Sequence, residues 1–182
     1  MLYKIVFTLM VLSCLDNVLL AKKRRNIIFH NVTCICLTDL VKQSACDIRQ
    51  LTNGRYGLNA MFELTHQLPA TADVEILLTY KLPRGSRVVK FINLKLRICD
   101  VLVHLPTVPL VKEVLIGLSR YSNLPLSCPV KENKMYNVTN LIISDSVWPP
   151  YMPLVNFNFT LNFTNLKKLL YTYDLRGSVV QI

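Results

Sequence analysis

Glycine is scarce in this chain, with five in 182 residues, and none of the five falls in a phosphate-cradling loop or a dinucleotide fingerprint. Histidine is scarcer still. His30, His66 and His104 stand far apart in sequence, without the paired spacing of a metal site and without a nucleophile elbow to accompany them. Each reads as a satisfied or exposed side chain. With 11 acidic residues in all, there is little material for a glycosidase-like carboxylate pair. An enzyme needs a nucleophile, a base and a group that holds the base in place. The sequence points away from catalysis, and neither a metal nor a cofactor is expected. Internal repeats and low-complexity segments are also missing. Beyond the N-terminal segment, no apolar run is long and uncharged enough to span a bilayer.

The N-terminal segment has its own pattern. Lys4 precedes an apolar run over residues 5–15, and Ala21 offers a small residue for signal peptidase just before Lys22, Lys23, Arg24 and Arg25. Residues 1–21 read as a removed signal peptide. The competing reading, an uncleaved anchor, is disfavoured because Asp16 and Asn17 interrupt the run short of the roughly 20 residues a spanning helix needs. Removing 21 of 182 residues leaves 161, the size of a single domain over residues 22–182. Loss of Lys4 and Asp16 leaves the net charge at +10. That excess suits a membrane surface or another negatively charged partner. Its densest cluster lies at a frayable end, however, and reads more simply as solvated surface. Nucleic acid is not expected as a partner of an extracellular, secreted protein.

Cys34, Cys36, Cys46, Cys99 and Cys128 remain after the leader. Widely spaced cysteines in an oxidising compartment predict disulfides and not zinc. Cys99 is expected to pair with Cys128, and Cys46 with either Cys34 or Cys36. Cys34 and Cys36, two apart in a strand, project their sulfurs on one face.

Strand periodicity dominates the rest. Val155, Phe157, Phe159, Leu161 and Phe163 alternate with Asn156, Asn158, Thr160 and Asn162, a period of two that gives one buried and one wet face. Further strands are expected over residues 26–37, 56–64, 74–81, 88–96, 136–143 and 169–176, with a short element at 46–51 closed by Asn53 and Gly54. Residues 55–96 read as three strands in meander order, with 88–96 central because it is apolar on both faces in places. Pro83 to Ser86 reverses the chain within it. One helix is expected over 109–120, where Val111, Val114, Leu115 and Leu118 fall at helical spacing, Thr107 can cap and Pro109 suits the first turn. A proline-rich loop covers 148–153. Seven or eight short strands and one short helix predict an all-β, antiparallel β-sandwich.

Four N-glycosylation sequons begin at Asn31, Asn137, Asn158 and Asn162. The inner faces are rich in aromatic residues, including Phe62, Phe91, Phe157, Phe159, Phe163 and Tyr171. Sheets that close tightly would use these as core; sheets that splay would use them to line a cavity for a hydrophobic ligand. Alternation leaves both readings open. A non-enzymatic interaction module, meeting a receptor through loops such as 148–153, is the alternative function.

Several short motifs carry a resemblance. Phe29 to Cys34 (FHNVTC), Cys46 to Arg49 (CDIR), Cys99-Asp100 and above all Tyr121 to Pro129 (YSNLPLSCP) resemble the motif set of an insect family of secreted proteins with a domain of unknown function. That family is related to the ML lipid-recognition proteins, among them ganglioside activators and chemosensory CheB-like proteins. The resemblance implies an immunoglobulin-like β-sandwich that binds a lipid, or another small hydrophobic ligand such as a pheromone, between its sheets. Cys36 is an extra thiol relative to that pattern.

Overall fold

The computed structural model of the chain describes residues 25–83, 85, 87–104, 109–125, 127–144 and 153–181. The expected signal peptide, the Thr107 cap, Arg84 and Ser86 of the reversing turn, and residues 148–152 of the proline-rich loop lie outside the described residues.

Among the described residues, eight strands and two helices follow one another as β1 (Arg25–Cys36), β2 (Val41–Thr52), β3 (Arg55–Leu64), β4 (Ala72–Lys81), β5 (Val88–Arg97), α1 (Ile98–Val103), α2 (Pro109–Tyr121), β6 (Met135–Ser144), β7 (Val155–Asn165) and β8 (Lys168–Gln181). They form two antiparallel sheets, one five-stranded in the order β1-β8-β7-β4-β5 and one three-stranded in the order β2-β3-β6. The protein is an all-β sandwich. Alternation sets which face of each strand looks inward. In β4, Ala72, Val74, Ile76 and Leu78 are buried while Asp73, Glu75, Leu77 and Thr79 between them are half-exposed. Phe29, Tyr56 and Phe157 meet edge to face in the middle, at 4.9 and 5.8 Å between ring centroids, and join the two sheets.

The polar face of β7 looks outward as its alternation predicts, and it is tied across the sheet. Asn162 donates to Glu75 of β4 (3.3 Å) and accepts from Thr172 of β8 (3.1 Å). Thr160 donates to Asp174 (2.8 Å), whose carboxylate also accepts from Arg176 (2.9 Å). These cross-strand pairs hold the register of the three central strands on the solvent side.

Five sequence expectations need correction. Residues 55–96 are not a meander: β3 pairs with β2 and β6 in the small sheet, whereas β4 pairs with β5 and β7 in the large one. Sequence neighbours that both carry one apolar face can pack face to face across the sandwich as readily as side by side. Strand β5 is an edge strand and not a central one; its apolar outer residues, such as Val88, are exposed. A second helix, α1, follows β5 directly. The short element at 46–51 is part of a longer strand, and the last strand runs on to Gln181.

Both expected cross-links form. Cys34–Cys46 joins the edge strand β1 of the large sheet to the edge strand β2 of the small one, resolving the choice between Cys34 and Cys36. Cys36 carries a free, exposed thiol 3.1 Å from the Ser44 hydroxyl, one rung along the same pair of strands. Cys99–Cys128 ties the start of α1 to the segment after α2. Among the described residues, no helix is long and apolar enough to cross a membrane.

Candidate ligand cavity

The mismatch between five strands and three sets where the interior stays open. On the β1 side, the Cys34–Cys46 bond closes the sandwich edge to edge. On the other side the small sheet ends at β6, and the helices take over. Ser122 bridges to Val138, and Asn123 exchanges bonds with Asn137, its carboxamide oxygen accepting from the Asn137 amide at 2.7 Å and its own amide donating to the Asn137 carbonyl at 3.1 Å. These contacts seat the end of α2 beside β6. Gly117 sits at the close approach of the two, where an added Cβ would lie 2.9 Å from Leu141 Cδ1. A helix cannot continue a ladder of strand hydrogen bonds, so the span facing β4, β5 and β7 is roofed by side chains alone.

Beneath that roof is a cavity of about 220 Å³. Val74 and Ile76 of β4, Phe159, Leu161 and Phe163 of β7, and Tyr171 of β8 form its floor. Ile98, Val101 and Leu102 of α1 and Val114, Leu115 and Leu118 of α2 form its roof, and Phe62 and Leu64 of β3 close one end. No polar atom of the described residues faces the space. Phe163 and Tyr171 tilt against each other with ring centroids 5.6 Å apart. Phe62 stacks at 5.3 Å on Tyr136, whose hydroxyl accepts from the Lys131 amide. One wall of the end is thereby held rigid.

Of the six aromatic residues proposed as cavity lining, Phe62, Phe159, Phe163 and Tyr171 are brought together here. Phe91 and Phe157 are not. Phe91 lies on the outer side of β5, opposite the inward Ile92, Leu94 and Leu96, at a bulge skipped between the pairs Leu78–Ile92 and Thr79–Lys90, and its ring is 42% exposed beside Tyr80. Phe157 is 3% exposed and belongs to the closed core, where Gly177 opposite it leaves room for the ring. Sequence reading also missed the helical part of the wall. Ile98, Val101 and Leu102 lie at i, i+3 and i+4, a helical signal hidden by its position straight after a strand. The side chain of Val111 lies outside the described residues.

Two tyrosines of β8 show how apolar the surroundings are. Burial pushes the Tyr171 hydroxyl above its usual range, opposed by a hydrogen bond with Ser44. Tyr173, 8% exposed, is pushed up further by burial and then by Tyr171, and its hydroxyl has no hydrogen-bond partner among the described residues.

The histidines remain apart. His30 Nε2 lies 3.0 Å from the Ser178 hydroxyl on β8, while His66 follows β3 and His104 follows α1. Among the described residues, no group of three or more His, Cys, Asp or Glu side chains is arranged to hold a metal. Of the sequon asparagines, Asn31 and Asn137 are exposed, whereas Asn158 and Asn162 are half-buried on the outer face of the central strand β7.

The segment carrying the roof and its disulfide is also the one with a recognised likeness. Residues 74–159 match the model of a family of proteins of unknown function, DUF1091. The DUF1091 match opens at Val74 in β4 and closes at Phe159 in β7, two residues of the cavity floor, and it contains both helices and the Cys99–Cys128 bond. None of the curated proteins matches the chain in sequence.

Proposed function

We propose that the protein is a secreted, non-enzymatic glycoprotein that carries or presents a lipid or other small hydrophobic ligand inside its sandwich, between the large sheet and the two helices that cover it. The observation that carries this reading is the cavity of about 220 Å³ under α1 and α2, lined among the described residues by apolar atoms alone. An apolar space of that size left empty forfeits dispersion contacts and burial, at most about 5 kcal/mol at the roughly 24 cal/mol per Å³ of an enclosed cavity, so a fitting apolar guest has a gain on offer. Two disulfides and the N-terminal pattern support secretion. The four sequons support glycosylation, and the likeness of the motifs around Cys34, Cys46, Cys99 and Cys128 to insect ML-related proteins supports a lipid-like ligand and a chemosensory setting.

The test is to express the full chain in insect cells, purify it natively, extract it with organic solvent and analyse the extract by mass spectrometry. A stoichiometric apolar molecule is expected, or, from an empty preparation, stoichiometric uptake of added apolar ligand. Neither co-purifying nor displaceable ligand would sink the carrier reading and favour a module that meets a receptor through its surface.

A further inference from the structure

The cavity's size and the chemistry of its wall point to more than a generic hydrophobic guest. We infer that it selects an uncharged, hydrocarbon-like molecule of about ten heavy atoms and rejects both carboxylate-headed and long-chain lipids; the inference rests on the carrier reading above.

The charge part follows from the lining. The floor, roof and end are aliphatic and aromatic, and no polar atom of the described residues faces the space. Among the described residues of the wall, the one with a hydroxyl, Tyr171, engages it with Ser44. A carboxylate drawn inside would lose its water and find no donor, and an unpaired buried charge is among the costliest groups a protein interior can hold. The positive charge that a fatty-acid site would use lies elsewhere: Lys112 and Arg120 of α2 are on its exposed side.

The size part follows from the volume. A dry apolar cavity of about 150 Å³ accepts benzene, six heavy atoms. By proportion, 220 Å³ takes about nine, close to the ten of a monoterpene or a ten-carbon alkane. A sixteen-carbon chain is nearly twice that. Leu118 of α2, half-buried in the roof, sets the depth of the space from above.

The test uses the full chain with its disulfides formed and stripped of endogenous ligand. Uptake of limonene, n-decane and n-hexadecane is measured by headspace gas chromatography, and uptake of sodium decanoate at pH 8 by equilibrium dialysis. Limonene and n-decane are expected to bind one per chain, with decanoate and n-hexadecane at least tenfold weaker. Leu118→Ala is expected to move the best alkane to a longer chain; Val114→Ala serves in its place if that variant does not fold. Decanoate or n-hexadecane binding as tightly as n-decane would overturn the inference and leave the carrier reading standing. Binding of none of the four would overturn both.

Discussion

Replacing Val114 by phenylalanine asks whether the space under α2 is a true cavity or a loosely drawn core, and the two answers differ in sign. Val114 lies in the roof, with its side chain toward the open volume. The substitution adds four carbons. At about 0.8 kcal/mol per buried carbon the upper bound is about 3 kcal/mol, and imperfect rotamer fit forfeits part of it. A gain of about 1–2 kcal/mol is expected in the ligand-free protein, which for a domain of this size raises Tm by about 2–8 °C. In a well-filled interior the same change would cost about 1–3 kcal/mol through overpacking. The built-in contrast is Leu78→Phe on β4: Leu78 is 0% exposed and does not line the cavity, so that variant should be destabilised by about 1–3 kcal/mol. Urea titration followed by far-UV circular dichroism, with the slope checked for constancy, reads both. Val114→Phe falling below wild type by 1 kcal/mol or more would refute the cavity, and with it the ligand. The stabilised variant should also take up less apolar ligand than wild type.

Other positions offer independent checks. Gly177→Ala places a Cβ 2.5 Å from Phe157 Cζ and 2.7 Å from the Ile28 carbonyl oxygen; backbone cannot yield as a side-chain tip can, so a loss of about 1–3 kcal/mol or more is expected in urea titration. The β7–β8 turn holds Leu166 and Lys167 at positive φ, 47° and 69°, with Leu166 81% exposed. Leu166→Asn combined with Lys167→Gly suits that two-residue turn, and relief of the left-handed strain, about 1–2 kcal/mol per residue at most, should raise Tm. Tyr173→Phe removes a buried hydroxyl that lacks a partner among the described residues and should be neutral or stabilising by up to about 1 kcal/mol. The same hydroxyl titrates above its ordinary value, so the native state keeps its proton where the unfolded chain releases it. Stability is therefore independent of this group below about pH 10 and falls as pH rises beyond that, where the unfolded chain ionises and the native state does not. The variant should show a shallower alkaline loss in stability measured from pH 8 to 11.

Much of this protein was legible one residue at a time. A period of two marks each strand and its buried face because side chains alternate across a pleat whatever the strand's neighbours are; Val155 to Phe163 needed nothing else. Asn53 and Gly54 marked the β2–β3 turn, with Gly54 at φ 73°, because left-handed backbone is cheap only for a few residues. Spacing at 114, 115 and 118 marked α2. These are local properties, and local sequence determines them.

The partition between sheets is not local. An apolar face says that a strand is covered but not by what, so β3 and β4 read as partners in one sheet and lie instead in different sheets, and β5 read as central and lies at an edge. Phe91 lies across β5 from Ile92, Leu94 and Leu96, on the side of Asn93 and Lys95, so alternation counted from Ile92 turns it to solvent; the bulge beside it shifts the register of Val88 to Lys90, and nothing in the sequence marks that shift. The choice of Cys34 over Cys36 required the two strands to be set side by side. Above all, the cavity exists because a five-stranded sheet is opposed by three strands and two helices. Its walls are drawn from residues 40 to 171, every one of which is also an ordinary core residue by composition. Whether apolar faces meet or leave space between them depends on the layers that long-range pairing brings together, and that was decided only by the tertiary structure.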